Sequence, residues 1–143
     1  MWLIYAISAA AIWGLDYSLG EKVLKSKISP ISLMTLQMGI GTLVFLVIGY
    51  RLNLKQDLQL FFTDRKVMGL GLAAVASFNI GNLLIFLSIQ AKNATAAGLV
   101  ELAYPIFTAL FTYLLFKENH LTPGLVIGGL FILTGIVVVS LYA

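Results

Sequence analysis

The chain contains no cysteine, a single histidine and three prolines, and only 10% of its 143 residues are charged. Without cysteine there are no disulfides, thiolate metal sites or cysteine nucleophiles. His120 stands alone in a connector, so no metal site can be assembled around it and none is expected. No nucleophile–base pair and no glycine-rich phosphate loop is recognisable, so no catalytic residue, cofactor or enzymatic activity is expected. The shortage of charge excludes an ordinary soluble domain, in which about 25% of residues are charged. What fills the chain is oil: 60% of residues are hydrophobic and the mean hydropathy is +0.99. A small soluble domain has no interior large enough for that fraction. The net charge of +3 and pI near 9.3 come from nine basic residues scattered over short connectors. They form no continuous basic patch, which sets nucleic acid aside as a partner.

Charged residues punctuate the chain into five apolar runs, at about 2–20, 30–50, 67–90, 93–116 and 121–143. Their lengths are 19, 21, 24, 24 and 23 residues, and a helix needs about 20 to cross a bilayer. The expected fold is all-α and integral to the membrane: one transmembrane domain over 1–143 with five spanning helices. Met1-Trp2 offers no positively charged n-region, so the start is read as a span and not as a cleavable signal peptide. The one substantial connector is Arg51–Lys66. Over 53–63 it places Leu54, Leu58, Phe61 and Phe62 on one helical face, which suits a helix lying in the interface. A greasy loop against the headgroups suits the same composition. Asn93-Ala94-Thr95 matches a glycosylation sequon but abuts a helix mouth, and is read as chance.

An odd number of spans puts the two termini on opposite sides. On the amino-terminal side, side A, fall Arg51, Lys55, Arg65, Lys66 and Lys117; on side B fall Lys22, Lys25, Lys27 and Lys92. Orientation follows an excess of Lys and Arg on the cytoplasmic side. Five against four gives almost no excess, so insertion both ways round is open, as is a single orientation set by the denser Arg51–Lys66 loop.

Two acids lie within the spans, Asp16 and Glu101. Ionisable groups inside a membrane are costly and are functional hypotheses by default. At about 1.5 Å per residue, Glu101 lies roughly 5 Å and Asp16 roughly 7–8 Å from the centre of its helix, both toward side B. Asn82 and Gln37 fall about 5 Å from centre on the same side, with Asn79 at the midplane and Thr134 beside it. Polar groups from five helices therefore converge on one band of depth. On the first span Trp13, Asp16 and Tyr17 share a face, and aromatic rings beside a carboxylate suit an organic cation. On the fourth, Glu101, Tyr104, Pro105, Thr108 and Thr112 form one stripe. Pro105 has no N–H for the carbonyl of Glu101, which predicts a kink and a hinge.

No Lys or Arg lies inside any span to neutralise the acids. A carboxyl group in hydrocarbon tends to hold a proton, and can trade it for a cationic substrate. Glu101 is the first candidate for that carrier. Asp16 has a second reading, since it is close enough to the end of its run to reach interfacial water or Lys22. Asn79, Asn82 and Gln37 have one as interhelical hydrogen bonds. Trp13 and Tyr17 have one as belt aromatics, the role assigned to Trp2, Tyr5, Tyr50 and Tyr142. Gly124, Gly128, Gly129 and Gly135 on the fifth run permit close helix approach, at a dimer seam or at an internal contact.

Several stretches resemble the EamA-type domain of the drug/metabolite transporter superfamily. Trp13-Gly14 resembles the "WG" that opens such domains. Leu102-Ala103-Tyr104-Pro105-Ile106-Phe107-Thr108-Ala109-Leu110, followed by Leu114-Leu115-Phe116-Lys117-Glu118, resembles the family's fourth helix, with Tyr104 inserted before the proline and Lys117 in place of a glycine. Gly128-Gly129-Leu130-Phe131-Ile132-Leu133-Thr134-Gly135-Ile136-Val137 resembles its fifth. Glu118 matches the family's acid but sits at a helix end, and is read as structural. The resemblance implies half of a ten-helix exporter, in a prokaryotic inner (plasma) membrane. The related small multidrug resistance proteins imply how a half can work, as an antiparallel homodimer. The expected function is proton-coupled export of small cationic or amphipathic metabolites or drugs, with protons, a small-molecule substrate and the lipid bilayer as partners. Two rivals remain: a non-transporting scaffold or regulatory subunit, and a half that pairs with a separately encoded partner.

Overall fold

The computed structural model describes residues 1–142, and among them it is helical, with no strand. The helices are α1 (Trp2–Lys25), α2 (Pro30–Arg51), α3 (Leu54–Thr63), α4 (Arg65–Ala91), α5 (Ala94–Glu101), α6 (Tyr104–Phe111) and α7 (Pro123–Tyr142), with a π-helical turn over Thr112–Phe116. Five segments are long and apolar enough to cross a membrane: α1, α2, α4, the run Ala94–Phe116 and α7. The first extends beyond the apolar run, through Glu21 and Lys22 to Lys25.

Each start has a local cause. Ser29 caps α2, its hydroxyl accepting the N–H of Ser32 at 3.1 Å, with Pro30 at the first helical position, where a missing N–H costs nothing. Asp64 caps α4 by accepting from Lys66 and Val67. Thr122 accepts from Leu125, so α7 begins at Pro123, two residues later than the apolar run suggests. Asn93, the sequon residue, caps α5 by accepting the N–H of Ala96 at 2.8 Å. That use of its side chain explains an asparagine at a helix mouth without glycosylation.

Residues 54–63 are helical. α3 leans back on α4 through Phe61, whose ring covers Gly71 so closely that any β-carbon there would overlap it. Leu58, Leu60 and Phe62 remain exposed on α3.

The buried core is small and lies at one end. Leu24, Leu33, Phe86, Ile89, Ala94 and Ala97 form it, with Phe86 and Ile89 each 1% exposed. They come from the end of α1, the start of α2, the end of α4 and the start of α5, all of which fall on side B. In hydrocarbon such a cluster is held by close packing more than by removal from water. Toward side A no described residue is buried. Beside the core, between the side-B half of α2 and the middle of α4, lies a groove of about 400 Å³, lined by Met34, Thr35, Met38, Asn79 and Leu83 among others. α7 has no buried residue. Of its glycines only Gly129 meets another helix, with its β-position 3.6 Å from Ile106. Gly128 and Gly135 face open space and Gly124 meets only Thr122, so the four do not form one seam within the chain.

Candidate functional site

The fourth span is not one helix. α5 ends at Glu101 and α6 begins at Tyr104. The cause is Pro105: its nitrogen carries no hydrogen for the Glu101 carbonyl, and its ring crowds that carbonyl. The chain tightens instead, with Ala103 N–H bonding the Val100 carbonyl at 3.2 Å and Ile106 N–H bonding that of Ala103 at 3.0 Å. Glu101 thus sits at the end of a short helix, next to the break.

The Glu101 carboxylate faces α1. Tyr17 donates its hydroxyl to Glu101 Oε2 at 2.6 Å, in the range of a charge-assisted O–H···O bond. Room for this meeting comes from Gly98, whose β-position is 3.5 Å from the Tyr17 ring. Trp13 stands one turn away on α1 with its ring edge-on to Tyr17, centroids 5.8 Å apart and planes at 70°. Both aromatics are only partly covered, Trp13 being 44% exposed. An acid, a phenol and an indole therefore adjoin one another along α1 and α5.

Asp16 points to a different neighbour. Gln37 on α2 donates its amide N–H to Asp16 Oδ1 at 2.9 Å, tying α2 to α1. The interhelical reading of Gln37 is what the structure has, whereas Asp16 pairs with Gln37 and not with Lys22. Neither Asp16 nor Glu101 has a cationic partner among the described residues; there Glu21 pairs with Lys25, and Glu118 lies 3.5 Å from His120.

The remaining candidates do not join this cluster. Asn79 and Asn82 turn back on their own helix, donating to the carbonyls of Val75 and Phe78, each at 2.8 Å. They are neither interhelical bonds nor partners of the acids here, because a carbonyl one turn back is available to an asparagine in any helix. Asn79 lines the α2–α4 groove, whose lining contains none of Asp16, Tyr17 or Glu101. Tyr104, the first residue of α6, is 62% exposed. Thr108 bonds the Tyr104 carbonyl at 3.0 Å.

One contact at the site falls outside the polar band read from the sequence. Glu21 on α1 accepts the backbone N–H of Ala94, the first residue of α5, at 2.8 Å, and also pairs with Lys25. The signal that could have found it is weak: an acid one turn beyond Tyr17 on the same face of the helix.

Five segments long and apolar enough to cross a membrane, one of them broken beside an acid with no cationic partner among the described residues, are the arrangement of an integral membrane protein. The chain matches the EamA-like transporter family over residues 1–141, nearly its whole length, and belongs to that family of membrane transporters. No curated protein and no solved structure matches it.

Proposed function

We propose that this chain is one half of a proton-coupled exporter of small cationic or amphipathic compounds, and that two halves complete the pathway. The observation that carries the reading is the Tyr17–Glu101 bond at the break in the fourth span. Glu101 is the exchange group. Protonated, it rests in an apolar surround at little cost; ionised, it needs a cation or a donor, and among the described residues the only side-chain donor it has is the Tyr17 hydroxyl. An ammonium or guanidinium cargo displaces that hydroxyl, and Trp13 and Tyr17 offer it aromatic faces. Asp16 serves the same layer from α1, held in place by Gln37. Pro105 is the hinge at which α6 swings relative to α5.

A second copy supports the reading because the cluster is open on one flank. Trp13 is partly and Tyr104 largely exposed, and α7 presents apolar surface all round. Two copies inserted in opposite senses bring their broken fourth spans together as an inverted repeat, the common build of secondary transporters. The near-equal split of Lys and Arg between the two sides permits that arrangement.

The test is transport by purified protein in liposomes, against a panel of amines graded in size and charge, with a pH gradient imposed. Accumulation of cationic members that collapses when the gradient is dissipated supports the proposal. Gradient-independent movement, or none for any amine, refutes it.

A further inference from the structure

α1 and α5, which bring Tyr17 to Glu101, are fastened a second time nearer side B. Glu21 follows Tyr17 by one helical turn, on the same face of α1. Its Oε2 accepts the Ala94 N–H at 2.8 Å while its other oxygen takes Lys25. The Glu21 side chain is 17% exposed against 60% for Lys25, so the carboxylate is the more covered of the two and the lysine lies outside it. Between the two fastenings α5 carries small residues: Ala94 and Ala97 are buried and Gly98 meets the Tyr17 ring, whereas Gly20 of α1 packs on Phe86 and Leu33 of the core. The seam is reciprocal. A carboxylate on α1 accepts from α5 at the side-B end, and a carboxylate on α5 accepts from α1 deeper in.

α5 has eight residues and stops at the break that follows Glu101. No helix continues past Glu101, so where the deep end of α5 lies depends on how its first turn is anchored as well as on its packing against α4 and α7. The first N–H groups of a helix have no partner within it. Asn93 takes that of Ala96, and Glu21 takes that of Ala94. A carboxylate at a helix N-terminus also meets the positive end of the helix dipole. We infer that Glu21 is a positioning residue for Glu101: it fixes the start of α5 to α1, and so presents the acid at the other end of α5 to Tyr17. What this seam serves rests on the transporter reading, but its existence can be tested without substrate or gradient.

The absence of cysteine makes the test clean, since one introduced thiol is unique. Ala97→Cys places it on the covered side of α5, one residue before the glycine that meets the Tyr17 ring, at a position 5% exposed. Its reaction with a maleimide is timed in detergent-solubilised protein, alone and combined with Glu21→Ala, Glu21→Gln or Lys25→Ala. Reaction of Glu101 with a hydrophobic carbodiimide, located by mass spectrometry, is followed in the same four backgrounds. Glu21→Ala removes the acceptor and accelerates both reactions about tenfold, the scale expected when a hydrogen bond to a charged group is lost. Glu21→Gln retains an oxygen for the Ala94 N–H and keeps both within about twofold of the parent. Lys25→Ala does the same. Equal rates in all four, glutamine behaving like alanine, or Lys25→Ala matching Glu21→Ala each overturns the inference. Glu21→Leu, which keeps bulk but offers no acceptor, carries the same prediction as Glu21→Ala and takes its place if the smaller residue does not fold. A seam that behaves as expected while no amine is transported leaves this inference standing and the transporter proposal refuted.

Discussion

Tyr17 and Glu101, 84 residues apart in sequence, share a hydrogen bond of 2.6 Å between the first span and the broken fourth. It gives the intramembrane acid a neutral partner that can leave, which a lysine or arginine in the same place could not do cheaply. The account of function depends on that exchangeability: a proton, a phenol and a cation compete for one carboxylate.

The two acids are expected to respond differently. Asp16→Asn keeps an oxygen for the Gln37 amide, so the contact between α1 and α2 survives. Amine transport rates in liposomes should stay within about fivefold of the parent, the size of a single weakened hydrogen bond. A complete loss would move the carrier role toward Asp16.

Pro105→Ala restores the N–H that the Glu101 carbonyl lacks and lets α5 and α6 merge. If the break is the hinge, maximal transport rate should fall about tenfold and the concentration for half-maximal rate should shift with it, as is common for residues that absorb a conformational change. Initial-rate measurements over a range of substrate concentrations separate the two. An unchanged maximal rate removes the hinge from the account.

The side-B core sets stability. Phe86 is 1% exposed and Phe131 is 74% exposed. Phe86→Ala should destabilise by about 3–5 kcal/mol, the usual cost of emptying an aromatic site in a packed interior. Phe131→Ala should lie within about 0.5 kcal/mol of the parent. Thermal unfolding of the detergent-solubilised protein followed by circular dichroism gives both values. Similar losses for the two would mean that the core is not where the bundle is held.

Dual insertion predicts that paired reporters fused at the carboxyl terminus, one active in the cytoplasm and one outside, both give signal. Moving two lysines from side B to side A, by Lys22→Ser and Lys27→Ser with Asn53→Lys and Gln56→Lys, should abolish one of them. Signal from a single side in the unaltered chain contradicts the antiparallel homodimer.

Much of the fold is legible in the residues because the bilayer imposes one dominant rule: apolar runs of spanning length become helices. The break at Pro105 is legible too, since a proline and the carbonyl four residues back are local chemistry. The site is legible only in part. That Glu101 and Tyr17 lie at similar depth follows from counting residues, but their pairing depends on how α1 and α5 rotate against each other, which no local pattern fixes. Asn79 and Asn82 look like interhelical groups by depth, yet each satisfies itself on its own helix. Glu21 is invisible to a search for acids inside apolar runs because it stands just past Gly20, where Lys22 follows and the run appears to end. Its partner is a backbone N–H, which carries no sequence signal at all.

The most direct measurement follows proton and amine fluxes together in liposomes, comparing the parent with Glu101→Gln, an isostere that cannot ionise but can still accept from Tyr17. The account predicts that the parent moves protons against amine, and that Glu101→Gln, still folded and reconstituted, falls to the level of protein-free liposomes. Coupled fluxes in Glu101→Gln equal to those of the parent would contradict it.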